Sequence, residues 1–164
     1  VGSSVSAMVA QNMGAGETER AKKTFYTGFA LAFSVTFVVF VFTQMFPERI
    51  LSLFDNNPDT IAAGVEYVRT FSFDYIIVPA TFCLNGLVTG AGHTVISSIC
   101  GILSSIGFRV PMAIIFGLVL EKGLGGLGLA APVASFASGL ILFVFFVSGK
   151  WKENKVVKQK EPDK

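Results

Sequence analysis

This 164-residue chain has little of what most enzyme sites are built from. It contains one histidine, His93, and two cysteines, Cys83 and Cys100, which are separated by sixteen residues in apolar surroundings. An isolated histidine and two distant cysteines do not supply the clustered ligands of a metal site, and buried free thiols are the simpler interpretation. The chain also lacks a dinucleotide-binding loop, a complete phosphate-binding loop and a Ser/His/Asp set. We therefore expect no enzyme activity, no metal and no cofactor.

Charge is scarce as well: charged residues make up 15% of the chain and hydrophobic residues 52%, with 17 phenylalanines. Residues 25–46 carry no charged side chain at all. At 1.5 Å per residue a helix of this length reaches roughly 30 Å, the thickness of a bilayer's hydrocarbon core. A helix in a small water-soluble domain does not need such a run, so the sequence predicts a membrane protein.

Three more apolar segments are long enough to span a bilayer, and the chain opens with what reads as the end of another helix. These segments are residues 62–88, 94–120 and 127–148, and the opening helix is residues 1–13. We therefore predict an all-α, polytopic transmembrane helix bundle over residues 1–149, with four complete spans plus the end of a fifth helix. Because the chain begins with Val1 inside a predicted helix, we expect a fragment whose upstream part is missing.

The basic residues predict the orientation of the bundle. Residues 150–164 hold six lysines and no apolar period, which predicts a disordered tail. Trp151 between two lysines is typical of a headgroup boundary. If the tail is cytoplasmic, the inner side holds nine basic residues (Arg20, Lys22, Lys23 and the six tail lysines) and the outer side three (Arg49, Arg69 and Lys122). Basic residues favour the cytoplasm, so we expect a cytoplasmic C-terminus and a tail that anchors topology and binds no nucleic acid.

The second span is unusual because polar side chains recur along it at helical spacing. They are Tyr67, Thr70, Asp74, Thr81 and Asn85. Steps of three, four, seven and four residues place them on one face of a continuous helix. Such a stripe avoids lipid, so we expect it to face other helices or water and to form a substrate or ion pathway.

Asp74 is the strongest candidate for a functional residue, and the sequence allows two interpretations of it. In the first, the carboxylate binds a proton or a small cation and changes state during a transport cycle, since removal from water favours the protonated form. In the second, it forms a fixed ion pair with Arg69 or Arg109, or lies close enough to the outer surface to be hydrated.

Two prolines and an arginine add candidate moving parts. Pro79 lies between Asp74 and Asn85, and because it removes a backbone hydrogen bond it predicts a kink and a hinge. Arg109 and Pro111 interrupt the third span, with Ser98, Ser104 and Ser105 within one turn of the Arg109 face. Pro111 is a second candidate hinge. Arg109 either contacts a substrate or a partner carboxylate, or extends to the headgroups.

Four short motifs occur in an order that resembles multidrug and toxic compound extrusion (MATE) transporters. Residues 9–16 read VAQNMGAG and are followed by ERAK at 19–22; residues 84–87 read LNGL, followed by TGAGHT at 89–94; FRVP lies at 108–111 and GGLGLA at 125–130. In that family these segments resemble the end of helix eight and parts of helices ten, eleven and twelve. The resemblance covers the chain up to the lysine tail.

The resemblance implies that residues 1–149 are most of a C-terminal lobe, with helix seven and the whole N-terminal lobe as missing partners. It implies export of small cationic or amphipathic compounds, driven by sodium ions or protons, from the plasma membrane of a prokaryotic-type cell. Some members couple through an acid on helix ten, where this chain has Val78, one turn after Asp74. Others couple through an acid in the other lobe.

Three other functions remain possible from sequence. A lipid-linked oligosaccharide flippase of the same superfamily would need more cations in its cavity than Arg109 and Arg69. A membrane-embedded enzyme would need an acid/base or metal set that is missing here. An inactive, truncated membrane protein is the third. Neither the transported substrate, the coupling ion nor the oligomeric state follows from the sequence.

Overall fold

The computed structural model describes residues 1–121 and 123–153, and nearly all of them are helical. In chain order the helices are α1 (Gly2–Gly14), α2 (Thr18–Met45), α3 (Pro47–Leu51), α4 (Pro58–Phe71), α5 (Asp74–Gly90), α6 (Thr94–Val119) and α7 (Gly123–Val147), followed by a short 3-10 turn, Lys150–Lys152. Within the described ranges there is no β-strand, and the predicted all-α fold is confirmed.

Candidate membrane spans account for most of this length. Among the described residues, helices α2, α6 and α7 are each long and apolar enough to cross a bilayer alone, and α4 with α5 meets the same criterion as a pair bent by 46°. The chain is a multi-pass membrane protein, with α1 as a further helix that packs on α2 and α5. Helix α2 begins at Thr18, ahead of the uncharged run at residues 25–46. Helix α7 likewise begins at Gly123, four residues before the predicted span at 127–148.

Helix α5 lies at the centre of the bundle and packs on α1, α2 and α7. Its glycines allow the close approach to α1: a Cβ on Gly86 would lie 2.5 Å from the carbonyl oxygen of Gly2, and one on Gly90 would clash with the carbonyl of Ser6. Small residues at such crossings give transmembrane helices the contact that holds them together. Cys83 and Cys100 are buried free thiols, as the sequence predicts.

The predicted second span is a broken helix rather than a continuous one. Ser72 and Phe73 separate α4 from α5, and Ser72 is fully buried. Gln44 of α2 donates hydrogen bonds to the Arg69 carbonyl at 3.0 Å and to the Ser72 hydroxyl at 2.9 Å. A bilayer core offers no water to satisfy backbone groups released by a break, so a side chain from a neighbouring helix supplies the partner.

The turn after α7 contains Trp151, whose predicted location at a headgroup boundary stays a prediction. Trp151 is 1% exposed and stacks on Phe146, with ring centroids 5.6 Å apart. Nε2 of His93 lies 3.3 Å from the backbone oxygen of Glu153. The turn after α7 therefore folds back onto the bundle, where the indole gains more contact than at a lipid surface. The remainder of the predicted disordered tail, residues 154–164, lies outside the described residues.

Candidate functional site

Asp74 is the first residue of α5, immediately after the break between α4 and α5. Its location there follows from the broken span, because the bend turns the start of α5 into the interior instead of toward lipid. Asp74 is 4% exposed, so it is buried within the bundle, and its distance from the outer membrane surface stays a prediction. Its Oδ1 is buried without a hydrogen-bond partner among the described residues. A buried carboxylate oxygen without a hydrogen-bond partner is costly.

Arg109 of α6 supplies the opposite charge. Its Nη2 lies 3.8 Å from Oδ2 of Asp74, longer than a hydrogen bond but within ion-pair range. The Arg109 side chain is 51% exposed, against 5% for Asp74. The pair is thus long and asymmetric in burial: the acid lies inside the bundle, and half of the Arg109 side chain is exposed. Between the two partners proposed from sequence, the structure pairs Asp74 with Arg109 and not with Arg69.

A cavity of about 430 Å³ opens beside this pair, between α5, α6 and α7. Four of the predicted pathway residues line it: Asp74, Thr81, Asn85 and Arg109. Ser104 and Ser105 of α6 also line it, whereas Ser98 does not. The reason is that residues Leu103–Arg109 form a π-helical segment, whose wider turn changes which side chains share a face. Such segments are common at functional sites.

Hydrogen bonds between helices hold the walls of this cavity in place. The Thr81 hydroxyl donates to the Ser135 carbonyl of α7 at 3.2 Å, and Ser104 donates to the Ala134 carbonyl at 3.4 Å. At the inner end, the Ser97 hydroxyl donates to Oδ1 of Asn85. Thr81 and Asn85 therefore have structural partners in addition to their position on the cavity wall.

Tyr67 and Thr70 do not lie in this cavity, although the sequence predicts one stripe. Both belong to α4, beyond the break, so the helical spacing to Asp74 no longer holds. The Thr70 hydroxyl bonds to the Tyr67 carbonyl within α4 at 2.9 Å, and both residues lie against Gly128 of α7. Their position supports helix packing, and a role in the pathway stays a prediction.

Neither of the two prolines lies at a simple helix kink. Pro79 lies inside α5, and the 46° bend lies upstream of it at Ser72 and Phe73. Pro111 lies between two π-helical segments of α6, Leu103–Arg109 and Ile115–Val119. Wide turns leave room where proline lacks an N–H. A hinge role for either proline stays a prediction.

Sequence reasoning missed three residues of the site. Ser135 and Ser138 of α7 line the cavity opposite Asp74. The sequence gives a weak indication of them, since two hydroxyl side chains three residues apart lie on one face of an otherwise apolar helix. Gln44, whose side chain bonds to the break, is the one amide side chain in residues 25–46, and no spacing rule connects it to Ser72.

Comparisons with known proteins match a family model and several curated relatives. The MatE family model matches residues 1–115. The chain is 28% identical to "Probable multidrug resistance protein YpnP" of Bacillus subtilis over 97% of its own length and 35% of that protein. It is 29% identical to "Probable multidrug resistance protein NorM" of Thermotoga maritima, over 93% of this chain and 33% of that one. The chain therefore spans about a third of these curated relatives. No solved structure gives a significant match.

Proposed function

This chain belongs to the MatE family, and we propose that it forms part of a secondary transporter that exports small cationic or amphipathic compounds in exchange for sodium ions or protons. The names of its relatives, which describe multidrug resistance proteins, support the substrate class. The observation that carries the proposal is Asp74, a buried acid that lines the cavity, with Oδ2 3.8 Å from Nη2 of Arg109 and Oδ1 buried without a hydrogen-bond partner among the described residues.

Asp74 offers one negative charge for which several cations compete. In the resting state Arg109 neutralises it from the open side of the cavity at 3.8 Å. A proton or a sodium ion that binds the free oxygen makes the group of charges net positive, and a bound cationic compound is then repelled. The low dielectric of the bilayer core strengthens this competition. Because the ion and the cationic compound cannot occupy Asp74 at the same time, binding of one is coupled to release of the other.

Alternating access requires two walls that move against each other. Broken spans near the bilayer midplane are typical of transporter binding sites, and the break before Asp74 has this form. We propose that the second wall is another lobe of the same transporter, since the relatives are about three times as long as this chain. We expect residues 1–164 alone not to transport. We also propose no catalytic activity, location in the plasma membrane and a cytoplasmic C-terminus.

The test is export of a fluorescent cation from vesicles of the full-length protein under imposed sodium or proton gradients. Asp74→Asn keeps the size of the side chain and removes its charge, and it should lose gradient-driven export at equal expression. Asp74→Glu should retain part of it. Asp55→Asn, at an exposed acid outside the spans, is the matched control and should transport normally. Normal export by Asp74→Asn, under either gradient, would show that Asp74 is structural.

A further inference from the structure

A second cavity lies on the other side of α1, away from Asp74. It is a groove of about 610 Å³ between α1 and α2, and its walls are one face of each helix. On α2 the lining residues recur at helical spacing from Arg20 to Leu31, and on α1 from Val1 to Asn12. The floor is the close contact of Val5 with Gly28.

The groove is polar and basic at one end and apolar over the rest of its length. Arg20 and Lys23 lie at the basic end, where the side chain of Asn12 ties α1 to Thr24 at 3.2 Å. Both cations are exposed, and within the described parts of the chain neither forms an ion pair. Met8 and Leu31, further along, are 53% and 63% exposed. The groove therefore offers a site for an anion joined to an apolar chain.

Its dimensions match a lipid in one leaflet. From Arg20 to Leu31 a helix rises about 16 Å, and half of a hydrocarbon core is roughly 15 Å. The basic end lies at the α1–α2 turn, which charge distribution assigns to the cytoplasmic face, where anionic lipids attract Lys and Arg. Basic pockets between transmembrane helices on this side bind acidic head groups.

We infer that the α1–α2 groove binds an anionic glycerophospholipid of the inner leaflet, with its phosphate on Arg20 and Lys23 and one acyl chain along Val5 and Gly28. Charge complementarity favours lipid over a protein helix. A protein helix in the groove would need an acidic residue opposite both Arg20 and Lys23. Every anionic phospholipid, by contrast, carries its phosphate at this depth. The site is separate from Asp74 and does not depend on the transport proposal.

Native mass spectrometry of the full-length protein tests this inference directly. The protein in mild detergent is mixed with equal dioleoyl-phosphatidylglycerol and dioleoyl-phosphatidylcholine, and the bound lipids are counted. We expect a preference for phosphatidylglycerol that falls roughly fivefold for each charge removed in Arg20→Gln/Lys23→Gln. Lys22→Gln, which removes a neighbouring charge that does not line the groove, should keep the preference. An unchanged double variant, or an equal loss in Lys22→Gln, overturns the inference.

A second measurement locates the lipid and does not need the double variant to be stable. Met8→Trp places an indole on the groove wall, and its fluorescence is compared with the parent protein in vesicles of equal phosphatidylglycerol and phosphatidylcholine in which only one of the two lipids is dibrominated. We expect stronger quenching of the added fluorescence by the brominated phosphatidylglycerol. Equal quenching by both lipids shows an unselective surface, and absence of quenching shows that protein covers the groove. Either outcome overturns the inference.

Discussion

The side-chain amide of Gln44 on α2 donates a 2.9 Å hydrogen bond to the hydroxyl of Ser72, in the break between α4 and α5. The same amide reaches the carbonyl of Arg69 at 3.0 Å. One residue of the first span thus satisfies the polar groups that the second span releases when it bends. The bend in turn brings Asp74 into the bundle, so Gln44 and Asp74 are parts of one arrangement.

Removal of the Gln44 amide should destabilise this break. We expect Gln44→Leu to lower the free energy of unfolding by about 1–2 kcal/mol, since the Ser72 hydroxyl loses its donor and the Arg69 carbonyl keeps only its 2.9 Å hydrogen bond from Ser72. Thermal unfolding in detergent measures the change. Gln11→Leu, at an exposed glutamine of α1, should leave the melting temperature nearly unchanged. Equal melting of Gln44→Leu and the parent would mean that water, not Gln44, satisfies the break.

Removal of one charge of the Asp74–Arg109 pair should destabilise the protein more than removal of both charges. Arg109→Gln leaves Asp74 without a cation, and we expect a loss of about 1–3 kcal/mol because a buried charged group becomes unsatisfied. Arg109 is half exposed, so the loss stays below that of a fully buried pair. The double variant Asp74→Asn/Arg109→Gln should recover much of it. Additive single losses in this cycle of unfolding measurements would show that the two charges do not interact.

The contact of α4 with α7 should depend on the absence of a side chain at Gly128. A Cβ there would lie 2.6 Å from the backbone oxygen of Tyr67 and would clash with the Thr70 hydroxyl. We expect Gly128→Ala to destabilise the fold by about 1–3 kcal/mol through overpacking. Gly101→Ala is the matched control, because nothing lies within 4 Å of its Cβ position. It should be neutral or stabilising by about 0.5–1 kcal/mol, since alanine favours a helix. Unfolding measurements that rank the two variants otherwise would contradict this packing.

The loop before α4 should open in acid. A backbone hydrogen bond from Asn57 to Asp55, 3.0 Å long, lowers the pKa of Asp55 below its ordinary value of 3.8. Because the folded pKa lies below the unfolded one, the stabilisation is complete above 3.8 and is lost as pH falls through the folded pKa. Hydrogen exchange of residues 52–61, corrected for intrinsic rates, should show this loss of protection.

A matched pair of variants assigns that loss to Asp55. Asp55→Ala should remove the acid-dependent part of the protection and lower protection at neutral pH. Asp59→Ala, four residues later, should keep the acid-dependent part. Unaltered pH dependence in Asp55→Ala would assign the effect to another group.

Much of the architecture could be predicted from the chain alone because transmembrane spans depend on local composition. An uncharged run such as residues 25–46 has few alternatives in lipid, and α1 and α5 end at Gly14 and Gly90, within two residues of the predicted ends at 13 and 88. Asp74 and Arg109 were also identifiable, since charges in apolar spans are rare. By contrast, the predicted stripe failed at Tyr67 and Thr70, because extrapolation at helical spacing assumes an unbroken helix.

The sequence by itself determined that this protein is a bundle of membrane-spanning helices with one acid in its interior, because hydrophobic length and the cost of a buried charge are properties of the chain. Only the tertiary structure decided where α4 and α5 part, which arginine faces Asp74, and that Ser135 and Ser138 share its cavity. Those relationships depend on contacts between residues distant in sequence, such as Gln44 with Ser72, and no local pattern encodes a contact between separate helices.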